Sequence, residues 1–122
     1  MKGRIVMLLA TTAVGTSAPA SAAQLAQMND PAPGYSSLLR SDYSTAEREI
    51  RSSNVSAYDP ARSINLGIAL AKQGDRVGAA KQFNQVLLEE DVEMVVANGE
   101  TVMSHAVADR ALAALRDGVL SR

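Results

Sequence analysis

The chain has 122 residues, 47% of them hydrophobic, with 12 Lys plus Arg against 13 Asp plus Glu and no cysteine. That balance excludes the basic footprint of a nucleic-acid-binding domain, and the lack of thiols excludes both a disulfide framework and a cysteine for lipid attachment. A fold of this size must rest on packing alone, around one core that gives only moderate burial.

The first segment reads as a cleavable signal peptide over residues 1–22. Lys2 and Arg4 precede an almost unbroken apolar run from Ile5 to Val14, and Thr16 to Ala23 is small residues around Pro19. This is the order of an n-region, an h-region and a cleavage region. The apolar run is shorter than the roughly 20 residues that a bilayer-spanning helix needs. Ala20-Ser21-Ala22 supplies an A-x-A cleavage signal and Ser21-Ala22-Ala23 a close second, so cleavage is expected after Ala22 or Ala23. Without Lys2 and Arg4, 10 basic side chains face 13 acidic ones, a net charge near −3. The short n-region and the Ala-Ser-Ala site look bacterial, which makes the periplasm the first expectation and the extracellular medium the second. Residues 23–33, with Asn29-Asp30-Pro31 and Pro33-Gly34 at the end, hold turn formers and little apolar periodicity, as a poorly ordered linker would.

Helices follow over residues 34–91. Asp42 is placed to cap a helix from Tyr43 to Arg51, with Ala46 and Ile50 on one face. Asp59-Pro60 is a stronger start, because proline fits the first turn where its missing donor costs nothing; that helix should run to Gln73. Gly74 then offers a left-handed stop, and Asp75 caps the next helix, Arg76 to Leu88. Two helices joined so tightly must be antiparallel. The first is apolar on both sides, with Ile64, Ile68 and Ala71 on one stripe and Leu66, Ala69 and Leu70 on another. The second presents Ala79, Phe83, Val86 and Leu87.

Asn65 to Leu87, NLGIALAKQGDRVGAAKQFNQVL, resembles a tetratricopeptide repeat: Leu66, Gly67, Leu70, Gly74, Ala79 and Phe83 fall at that family's spacing. A degenerate copy ends upstream, where Asp42-Tyr43 and Ala46 with Ile50 mimic Gly74-Asp75 and Ala79 with Phe83; its first helix would come from Gly34 to Arg40. The resemblance implies a mainly α fold of antiparallel helical hairpins. It also implies an adaptor that binds a peptide or protein through its inner helices. Carried over position by position, the groove would be lined by Tyr35 and Leu38 from the degenerate repeat and by Ile64, Asn65, Ile68 and Lys72 from the clear one.

Residues 92–122 depart from the all-helical pattern. Val92 to Ala97 and Glu100 to Met103 are two β-prone runs around Asn98-Gly99, the strongest two-residue hairpin signal, which would set Met94 against Met103 and Val95 against Val102. A final helix, Ser104 to Asp117, is expected with Ser104 as its cap and Val107, Ala108, Ala111, Leu112 and Leu115 on its apolar face, closed by Gly118. A lone hairpin is marginal in water, so one face should rest on this helix or on the repeats.

Catalytic chemistry is not evident. Ser104 and His105, the one histidine, are adjacent on a helix and point about 100° apart, so they cannot act as nucleophile and base. The acidic run Glu89 to Glu93 lacks the ligand spacing and glycine of a calcium loop. The residues therefore predict no enzyme, no metal and no cofactor. An exported adaptor is the leading expectation. A self-associating envelope component, dimerising through the hairpin edge or an apolar face, is the alternative.

Overall fold

The capping signals decide where helices begin. In the computed structural model, which describes residues 4–5 and 32–120, the described residues form five helices: α1 (Tyr35–Leu39), α2 (Tyr43–Arg51), α3 (Pro60–Lys72), α4 (Arg76–Leu88) and α5 (Ser104–Arg116). Three strands accompany them: β1 (Arg4–Ile5), β2 (Glu93–Val95) and β3 (Thr101–Met103). The rest of the expected signal peptide, and the linker as far as residue 31, lie outside the described residues.

Asp42 accepts from the Thr45 amide at 3.3 Å, Asp59 from Arg62 at 3.0 Å and Asp75 from Gly78 at 2.8 Å. Each carboxylate satisfies one of the amides that a helix start leaves without a partner, and its charge suits the positive end of the dipole. Gly74, at φ 92°, ends α3 in the left-handed conformation, and the Asp75 amide returns to the Leu70 carbonyl at 2.9 Å. One turn thus stops α3 and starts α4, which forces the two into an antiparallel pair.

α3 is the centre of the domain and packs against α1, α2, α4 and α5. From Ala61 to Ala71 every residue except Arg62 is buried, so a helix apolar on both sides has neighbours on both sides. On α4 the buried residues Ala79, Phe83 and Val86 form one stripe. Gly67 lets the Phe83 ring lie against the α3 backbone: a Cβ there would run into Cε1 and lie 2.8 Å from Cδ1 and Cζ, well inside normal carbon contact. Ala46 and Ile50 of α2, both 0% exposed, fill the other side of the core. Ala32 is buried and accepts from the Tyr35 amide at 3.0 Å, so it packs with the helices that follow.

The C-terminal hairpin forms, but one residue out of the expected register. Glu93 faces Met103, Met94 faces Val102 and Val95 faces Thr101. The loop is three residues rather than two: Val96 and Glu100 flank it, the Gly99 amide donates to the Val96 carbonyl at 2.8 Å, and Gly99 is left-handed at φ 90°. A turn followed by one left-handed residue is the three-residue hairpin geometry, and Asn98 Oδ1 completes it by accepting from the Glu100 amide at 2.9 Å. A one-residue slip reverses which side chains share a face. Met94 therefore points into the core while Met103 is exposed, and the two methionines expected as partners are on opposite sides.

β1 runs parallel to β2, with Arg4 abreast of Met94 and Ile5 abreast of Val95, giving the sheet order β1-β2-β3. α5 leaves directly from β3 and packs along α4, with Val107, Ala108, Ala111 and Leu115 buried. After α5 the chain folds back, Leu120 is buried, and the Val119 and Leu120 amides both donate to the Ala114 carbonyl, at 2.9 and 3.1 Å.

Candidate functional site

The side chains expected to line a groove are mostly interior. Ile64 and Asn65 are 0% exposed, Ile68 3% and Leu38 5%, while Tyr35 and Lys72 are half-buried. The physical reason is the placement of α3, which has helices on every flank and so turns both of its stripes inward. The six residues do not bring an open apolar surface together. Those expected to shape the hairpin occupy structural positions: Leu66, Leu70, Ala79 and Phe83 are buried, Gly67 admits the Phe83 ring, and Gly74 makes the turn.

The junction between β2 and α5 is built from polar groups that were expected in other roles. Ser104 is not the cap of α5 but its first residue, and the preceding Met103 offers no side-chain acceptor. Asp91 caps the helix from thirteen residues upstream: its Oδ1 accepts from the His105 amide at 2.9 Å and from Ser104 Oγ at 3.2 Å. Ser104 Oγ accepts in turn from the Val92 amide at 3.0 Å, and the Ser104 amide donates to the Val92 carbonyl at 2.7 Å. His105 Nε2 lies 2.7 Å from the Glu89 carbonyl, which only accepts, so this nitrogen carries the proton. Both side chains are thus committed to holding the 89–92 segment against α5. The acidic run has a local use in which Asp91 supplies the negative charge that a helix N-terminus favours, while Glu89 accepts from Gln85 Nε2 at 2.8 Å.

A second polar cluster ties α1, α2 and the end of α3 together. Buried Ser37 donates to Glu49 Oε1 at 2.8 Å and accepts from Arg40 at 3.2 Å. Glu47 accepts from Arg51 Nε at 2.8 Å and from Gln73 Nε2 at 2.9 Å, which links α2 to the end of α3. The hydrogen bond from Arg51 first, and that from Gln73 second, hold the Glu47 carboxyl below the ordinary glutamate range, against a small desolvation that acts the other way.

Among the described residues, an open cleft with an apolar base lies between the start of α4 and the end of α5. Arg76, Val77, Ala80, Leu112, Leu115 and Arg116 line a cleft of about 500 Å³. Val77 is 83% exposed, Ala80 and Leu112 are half-buried, and Leu115 is 5% exposed at the base. Arg116 Nε stands 3.8 Å from Asp117 Oδ1, both side chains largely in solvent. Sequence reasoning passed over this surface because it spans two helices. Its one local signal is Val77, an aliphatic residue that falls outside the Ala79–Phe83–Val86 stripe.

Among the described residues no helix is long and apolar enough to cross a membrane, and no group of three His, Cys, Asp or Glu is placed to hold a metal ion. Set beside known protein families, curated proteins and solved structures, the chain matches none.

Proposed function

We propose that this protein is an exported adaptor, a protein-interaction module of tetratricopeptide type whose partner surface is the α4–α5 cleft. The observation that carries the reading is Val77, 83% exposed on an apolar floor between Arg76 and Arg116. An exposed aliphatic contact beside Ala80, Leu112 and Leu115 suits the apolar face of an amphipathic segment. The stack supports the repeat reading: α3 pairs with α4, each flanked by the next helix in sequence, and the cleft lies at the far end of that stack. The family's usual groove positions, Tyr35, Leu38, Ile64, Asn65, Ile68 and Lys72, are mostly used up as core, so the open end takes over the role.

Export is read from the n-region, apolar run and Ala-Ser-Ala site, with the periplasm as destination. Crosslinked capture from the envelope fraction, with wild-type chain beside Val77→Asp, tests the surface. The variant should keep its helical circular dichroism and thermal transition and lose the captured partner; an unchanged captured set would remove the cleft from consideration. Mass spectrometry of the N-terminus tests export, with Ala23 or Gln24 expected and an intact Met1 in the cytosolic fraction counting against it. Light scattering over a dilution series addresses self-association through the same cleft, for which mass would rise with concentration.

A further inference from the structure

The edge of β2 has a definite chemistry that can be read from its pairing with β3. In an antiparallel ladder, residues alternate between those that exchange hydrogen bonds with the partner strand and those whose amide and carbonyl point away. The Ser104 amide donates to the Val92 carbonyl and the Val96 amide donates to the Glu100 carbonyl, so residues 92 and 96 face β3, and Met94 between them does the same toward Val102. The amides and carbonyls of Glu93 and Val95 therefore point outward. β1 lies along that side, parallel and with Arg4 abreast of Met94, which sets the Arg4 backbone between the outward groups of Glu93 and Val95.

We infer that the outer edge of β2 is a strand-addition site for an extended aliphatic peptide, and that residues 4–5 are its intramolecular occupant. Three features fit this. The strand described along this edge is two residues long, and so short a pairing can exchange with a competing strand. Its sequence continues into Val6-Met7-Leu8-Leu9-Ala10, so the edge holds the head of an aliphatic stretch. The edge is also anchored: Met94 is fully buried, and Asp91 and Ser104 fix the strand's start against α5. Backbone pairing supplies the affinity, while the half-buried Val95 and the adjoining surface favour apolar residues. If the N-terminal segment is removed on export, a step that rests on the proposed processing, the edge becomes free for a segment of another polypeptide. The site itself does not depend on that step.

The test uses the full chain. Arg4→Pro removes the backbone amide that faces β2 and should release β1. Amide exchange at Val95, followed by NMR, should then be at least about tenfold faster than in the unsubstituted chain. Adding a synthetic peptide of residues 2–10 to the Arg4→Pro chain should slow it again, and the same peptide with proline in place of Arg4 should not. Labelled peptide should bind Arg4→Pro/Thr101→Pro, altered on the outer side of β3, and fail to bind Arg4→Pro/Val95→Pro, altered on the outer side of β2 where the ladder to β3 is spared. Equal Val95 exchange in the two chains, or equal binding of the two peptides, would overturn the inference. Neither readout involves export, so the N-terminal mass measurement stands or falls separately.

Discussion

Gly67→Ala is the sharpest probe of the packing between α3 and α4. The added Cβ would run into Cε1 of Phe83, its nearest atom, and sit 2.8 Å from both Cδ1 and Cζ, where carbon atoms prefer about 3.5–4.0 Å, so the ring must retreat by more than about 1 Å. Phe83 is 0% exposed and has no solvent side to move toward. Overpacking of this kind costs about 1–3 kcal/mol, while replacing glycine by alanine inside a helix returns about 1 kcal/mol, so the expected net loss is up to about 2 kcal/mol. For a domain of this size each kcal/mol moves the thermal midpoint by about 4–8 °C. The two effects separate in a double-mutant cycle with Phe83→Leu, measured by urea and thermal denaturation. The smaller side chain makes room, so Gly67→Ala in that background should stabilise by up to about 1 kcal/mol, for a coupling of about 1–3 kcal/mol. A Gly67→Ala chain more stable than wild type, or a coupling within about 0.5 kcal/mol of zero, would refute the close approach of these two helices.

Three further outcomes follow from the same geometry. Asp91→Ala strips the acceptor from the His105 amide and Ser104 Oγ and should cost about 1 kcal/mol in urea denaturation, within the usual range for a helix cap; adding Ser104→Ala should cost less than its single effect, since the two share one network. Ile68→Glu buries a charge without a partner and should cost about 3–5 kcal/mol, enough to remove the thermal transition of a marginal domain, whereas Val77→Asp at the open cleft should stay within about 0.5 kcal/mol. Because Arg51 and Gln73 depress the Glu47 carboxyl in the folded state, its contribution is present above the ordinary glutamate pKa and is lost as pH falls through the lower folded value. As a partly exposed i,i+4 pair it is worth about 0.3–0.5 kcal/mol, so Glu47→Gln should flatten the acid-side fall in stability by that amount at low salt.

Local signals located the helices well. Asp42, Asp59 and Asp75 each cap the helix they were expected to cap, because a carboxylate beside free amides acts within one turn and needs no tertiary context. The hairpin shows where local reading stops. Asn98-Gly99 suits a two-residue turn, yet the loop has three residues, which leaves Met94 in the core and turns Met103 toward solvent. Ser104 is an able cap by residue type, but Asp91 reaches the same helix start across the hairpin, and a sequence pattern carries no trace of that distance. The burial of most groove positions was hidden for a similar reason. An apolar stripe on α3 looks the same whether it faces a partner or a neighbouring helix, and only the assembled stack distinguishes the two. The α4–α5 cleft was hidden because half of it comes from each of two helices that meet only in space.

The central position of α3 also governs how the molecule can come apart. Longer repeat arrays open from their ends, since each unit touches only its neighbours and the remainder keeps its own interfaces. Here one thirteen-residue helix serves as the shared wall for the other four, so detaching any of them uncovers it. Partial opening then leaves few stable remnants, and the amides of α3 can exchange only when the whole domain unfolds. A domain built around one shared helix lacks that modular elasticity and behaves as a single all-or-none unit.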